Sequence, residues 1–163
     1  MKIIAAAFAA AALFGVPTAA AQSVSLTGPN GQILTLSAAD IAALPHEHLA
    51  LRQEGKSLSY EGVPLALLLQ KVGAPSGKAL RGTELADVVV VTAADGYRVV
   101  LALAETDALM RPEHILLADR GAGGAALDPK EGPFRLVVEG DLRAARSARM
   151  VTSIVVSQLP APH

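Results

Sequence analysis

The chain of 163 residues carries 14 Lys and Arg against 15 Asp and Glu, a net charge of −1, and is 52% hydrophobic with no Cys and no Trp. A balance that close to neutral excludes bulk nucleic-acid binding, which needs a clear positive excess. The absence of cysteine excludes disulfides, a thiolate nucleophile and a thiolate metal ligand, so a core of Leu, Val, Ala and Ile has to supply the stability.

Met1-Lys2 is a minimal charged start, residues 3–16 are almost wholly apolar, Pro17 breaks the run, and Ala19-Ala20-Ala21 gives the small-residue pattern of a cleavage site. Residues 1–21 are therefore expected to be a secretory signal peptide cleaved after Ala21, since the apolar run is short of the ~20 residues of a membrane span. A periplasmic or secreted protein is the consequence, with no membrane span after cleavage. Residues 22–163 are then expected to form one domain.

Val24-Ser25-Leu26-Thr27 alternates and runs into Gly28-Pro29-Asn30-Gly31, so a hairpin is predicted with Ile33–Leu36 as the returning strand. Ser37 is placed to cap a short helix with Asp40 three residues on, Ile41 and Leu44 facing the core, and Pro45 stopping it. Leu49–Arg52 and Leu58–Tyr60 read as a second strand pair joined at Glu54-Gly55-Lys56. Pro64 opens a helix with an apolar stripe of Leu65, Leu68 and Leu69, closed by Gly73. Pro75–Gly82 is a polar loop. Val88–Val91 is a continuous β-branched run and predicts a central strand buried on both faces. Asp95-Gly96 makes a tight turn, and Tyr97–Leu101 returns antiparallel. Ala102–Met110 is predicted helical and Ile115–Ala118 a central strand. Residues 121–133 hold four Gly and two Pro, a loop long enough to suggest a lid or a flexible crossing.

Two Val-rich runs, 134–138 and 150–156, flank a segment rich in arginine and small residues. Arg135, Arg143, Arg146 and Arg149 lie on or beside it. Arginine grips anionic oxygens with a planar two-pronged donor set, so this frame reads as a cationic rim for a phosphate or oxyanion. The plainer alternative is a set of solvated arginines paired with Glu139 and Asp141. Tyr97 has a plain reading too, as a ring packed beside a turn. His46-x-His48 would put two imidazoles on one strand face, but no third ligand is evident, so no metal site is assigned. No Ser-His-Asp arrangement and no phosphate-binding glycine motif is present, and no catalytic residue is assigned.

The Gly132-Pro133-Phe134-Arg135-Leu136-Val137-Val138 run, followed by Arg146-Ser147-Ala148-Arg149-Met150-Val151, resembles the end of the molybdopterin-binding domain of the sulfite oxidase superfamily. Tyr60-x-Gly62-x-Pro64-Leu65, Asp95-Gly96-Tyr97 and Leu116-Leu117-Ala118 are similar to further motifs of that family, in the same order, and the resemblance covers residues 24–157. It implies a single mixed α+β, β-rich domain with short helices. By position it gives Arg135, Arg146, Ser147, Arg149 and Tyr97 a cofactor-binding role, and molybdopterin as the cofactor. The family's catalytic members bind molybdenum through a protein cysteine, in a larger N-terminal part of the domain that is expected to have no counterpart here. The resulting expectation is an exported oxidoreductase-type domain that binds a pterin cofactor or small anionic ligand without running oxo transfer alone, beside an exported redox or sensor protein. A cofactor-free ligand- or protein-interaction module on the same fold stays open.

Overall fold

The computed structural model describes residues 22–53 and 55–159. The expected signal peptide and its cleavage site lie outside the described residues, as does Glu54 of the predicted turn. Strands β1 (Ser23–Thr27) and β2 (Ile33–Ser37) form the predicted hairpin, with Val24 opposite Leu36 and Leu26 opposite Leu34. Ser37 caps helix α1 (Ala38–Ala42): its Oγ accepts from the Asp40 N–H, and the Asp40 carboxylate accepts from the Ser37 N–H. This reciprocal pairing satisfies two donors that a helix start leaves orphaned. Strands β3 (Glu47–Gln53) and β4 (Lys56–Pro64) pair antiparallel and run longer than their apolar residues predict. Helix α2 (Leu65–Gln70) follows Pro64 directly, buries Leu65, Leu68 and Leu69, and gives way to Gly73 at φ +79°, where a side chain would be strained.

The remaining strands are β5 (Val88–Ala93), β6 (Arg98–Ala102), β7 (Ile115–Gly121), β8 (Arg135–Val138) and β9 (Val151–Ser157). They assemble into a five-stranded sheet of order β2-β1-β9-β5-β6 and a four-stranded sheet of order β3-β4-β7-β8. The first is mixed, because β9 runs parallel to β1 and antiparallel to β5; the second is antiparallel throughout. This is the mixed α+β, β-rich architecture with short helices that the sequence predicts. Inward residues of both sheets and both helices share one core, among them Leu26, Val89, Ile154, Leu117, Leu136, Ile41 and Leu68. A smaller cluster of Leu49, Leu51, Tyr60, Leu116, Ala118 and Val137 fills the other face of the four-stranded sheet. Strand β8 is therefore buried on both faces although it ends its sheet.

Two expectations need correcting. Val88–Val91 is not buried on both faces: exposure alternates along β5, because the five-stranded sheet covers the core with one face only. Ala102–Met110 does not form a longer helix; a 3₁₀ turn, Leu103–Thr106, is followed by a separate turn in which the Met110 N–H donates to the Asp107 carbonyl.

The Tyr60-x-Gly62-x-Pro64-Leu65 motif has a structural reason at each position. Tyr60 points into the smaller cluster. Between Glu61 and Gly62 the pairing of β4 with β7 shifts register, and a Cβ on Gly62 would sit 2.4 Å from the Leu117 carbonyl oxygen. Only glycine lets the two strands pass that closely. Pro64 then presets the backbone before α2.

Candidate functional site

Strand β8 belongs to one sheet and β9 to the other, so residues 139–150 have to cross between them. On its return the segment runs beside β8. The Leu136 N–H donates to the Ala148 carbonyl at 2.8 Å, and the Val138 N–H donates to Ser147 Oγ at 3.1 Å. Met150 then takes a positive φ of 49°, which a non-glycine residue rarely adopts, and its N–H donates to the Glu131 carbonyl. These anchors fix the end of the crossing against both sheets.

A cleft of about 260 Å³ opens between this segment and the β5–β6 turn, lined by Gln53, Asp95, Tyr97, Arg135, Ser147 and Arg149 among others. Four of the five residues that the resemblance singles out thus meet at one cavity. Arg135 is its buried floor, 1% exposed, while Arg149 is half-exposed at its rim. Tyr97 donates its hydroxyl to the Ala145 carbonyl at 2.9 Å and so ties the turn to the crossing segment. Arg146 is not brought there. Its guanidinium is taken by Asp141 at 2.6 Å and by Glu105 at 3.0 Å, which together hold its proton more firmly than usual, and Arg143 does not line the cleft either. Arg146 instead straps the crossing to the 103–113 segment, where Arg111 joins the same carboxylate of Glu105.

Arg135 is partnered by Tyr60, 75 residues before it, and by Glu131, four residues before it. Its Nη1 donates to the Tyr60 hydroxyl at 2.7 Å and to Glu131, and its guanidinium lies 4.9 Å from the centre of the Tyr60 ring. The Tyr60 hydroxyl in turn donates to Glu131 Oε2 at 3.3 Å. Burial pushes the Tyr60 phenol above its ordinary value; the Arg135 charge opposes that and the Glu131 charge adds to it. Tyr60 therefore stays a neutral donor at physiological pH. The Arg135 Nε is buried and has no partner among the described residues, and Arg149 Nε lies 3.9 Å from Glu131 Oε1. An orphaned buried donor of a charged group leaves a large desolvation cost uncompensated.

Among the described residues the histidines are engaged separately. His46 bonds the Leu44 carbonyl at 2.7 Å and Asp119 at 2.9 Å, and His48 approaches Glu61 at 3.5 Å. Among the described residues no three His, Asp or Glu side chains gather as metal ligands.

A mixed five-stranded sheet and an antiparallel four-stranded sheet thus meet at a cleft, carrying Arg135 and Arg149, where the chain crosses between them. The chain belongs to the oxidoreductase molybdopterin binding domain family, whose model matches residues 52–163. Among solved structures it is similar to the sulfane dehydrogenase SoxCD from Paracoccus pantotrophus, with a TM-score of 0.64 and 17% identity over 84% of this chain and 38% of that one. The chain thus spans well under half the length of that protein, and the likeness carries the sulfite-oxidase-type fold. A search of curated proteins returns no match.

Proposed function

We propose that the cleft at Arg135 and Arg149 receives an anionic group, the phosphate end of a pterin cofactor or a small oxyanion, in a protein exported by its N-terminal leader. The observation that supports this most directly is the Arg135 guanidinium, buried in the cleft floor with Nε unpartnered while Arg149 stands at the rim. Two convergent guanidinium groups are the usual means of holding such oxygens. The volume of about 260 Å³ falls just under the ~300–1,000 Å³ of pockets that enclose whole drug-sized ligands, so it suits one anionic group rather than a complete cofactor.

The donor set fits the anionic end of molybdopterin and does not fit its metal. The sequence holds no cysteine to supply a thiolate, and no cluster of harder ligands replaces one among the described residues. Bound pterin cofactor would supply redox chemistry; this chain's residues bind and orient.

Purified full-length protein from its native host tests the proposal. Elemental analysis for molybdenum and fluorescence of oxidised pterin separate the two ligands: stoichiometric pterin favours the cofactor, its absence the small oxyanion. Calorimetric titration with phosphate should show one site per chain that weakens as salt is raised. Failure to bind either ligand, or unaided oxo transfer at stoichiometric molybdenum, would overturn it.

A further inference from the structure

Among the described residues, Glu131 is the one carboxylate that touches both the floor and the rim of the cleft. Its Oε1 contacts Arg135 Nη1 and lies 3.9 Å from Arg149 Nε, and its Oε2 accepts from Tyr60. It is not among the residues lining the cleft itself. It reaches the guanidinium groups from behind, out of a separate cleft of about 340 Å³ bounded by Ser57, Ser59, Tyr60 and Asp128. Its backbone is pinned, because the Glu131 carbonyl accepts from Met150 and its N–H donates to Asp128, whereas its side chain borders open space and is a fifth exposed.

We infer that Glu131 is a built-in competitor for the anion, holding the charge of Arg135 and Arg149 until a stronger anion displaces its side chain toward the cleft beside Tyr60. This rests on the reading of the Arg135 cleft as an anion site and adds how that site is regulated. A carboxylate that neutralises a guanidinium lowers its attraction for a second anion, and like charge beside an entering oxyanion works against binding. Asp95, also in the lining, accepts the Tyr97 N–H at Oδ1 and is exposed, with no ion pair to Arg135 or Arg149 among the described residues. The device sets a threshold: a monoanion of carboxylate strength exchanges with Glu131 for little gain, whereas a dianion that bridges both guanidinium groups displaces it. Tyr60 keeps one hydrogen bond to Arg135 throughout, so the buried cation is never stripped of every partner.

Full-length Glu131→Gln and wild-type protein are titrated with inorganic sulfate by calorimetry. Sulfate should bind the variant about tenfold more tightly. Equal or weaker binding by a folded variant would overturn the inference and leave the anion site standing. No binding by either protein would overturn both. A second measurement needs no variant: in wild-type protein, the carboxyl carbon resonance of Glu131 should shift on saturation with sulfate while that of Glu105 stays. An unmoved Glu131 resonance in protein that demonstrably binds sulfate would refute the competitor role even if Glu131→Gln fails to fold.

Discussion

Ser147 shows how one hydroxyl serves the fold and the cleft together. It lines the cavity, and its Oγ also accepts the Val138 N–H on the outer edge of β8, which no strand covers. Ser147→Ala removes that acceptor and leaves a buried backbone donor unpaired. The expected cost is about 1–3 kcal/mol, read as a lower urea midpoint with an unchanged slope. Asp87 supplies a pH prediction. Burial pushes its carboxyl above the ordinary aspartate value, with the Glu84 charge adding to it, and its Oδ2 has no partner among the described residues. A raised pKa contributes stability below the unfolded value, and that contribution is lost as pH rises through the folded value. Wild-type protein should therefore lose melting temperature, relative to Asp87→Asn, as pH climbs from about 4 toward neutrality. Curves that stay parallel across that range would refute this account of Asp87.

At the scale of elements, what could be read from the sequence followed local rules. The β1–β2 hairpin, the Ser37–Asp40 cap and the Pro64–Gly73 helix unit each depend on residues within a few positions, and each is where the pattern puts it. The errors came from tertiary surroundings. A Val run looks the same whether one or two layers cover it, so β5 was legible as a strand but not in its burial. Arg146 sits at the right place in sequence for an anion contact, yet its guanidinium is taken by Asp141, the near neighbour that the plainer reading names, and by Glu105, 41 residues away. Tyr60 is invisible as a partner of Arg135 for the same reason, lying 75 residues from it, whereas Glu131 is four residues away and is hidden only because the loop between them has no regular pattern to read. The Gly62 bulge is the element whose chemistry is least negotiable. Gly62→Ala forces its Cβ to within 2.4 Å of the Ala118 Cα, and β4 or β7 must shift. A loss of about 1–3 kcal/mol is expected, measured by chemical denaturation, and a neutral result would show that the bulge is loosely held.

For the molecule as a whole, the crossing from one sheet to the other places cationic groups where both sheets end. Arg135 comes from the four-stranded sheet, Tyr97 from the β5–β6 turn of the five-stranded sheet, and Ser147 and Arg149 from the segment joining the two sheets. The core holds this geometry without any thiol. Arg149 gives the cleanest test, because it is half-exposed and supports no strand. Titration of wild-type and Arg149→Ala protein with phosphate, each with its melting temperature recorded, should give affinity about tenfold weaker in the variant at an unchanged melting temperature. Equal affinity, or a variant that loses its fold, would contradict the assignment of the cleft as an anion site.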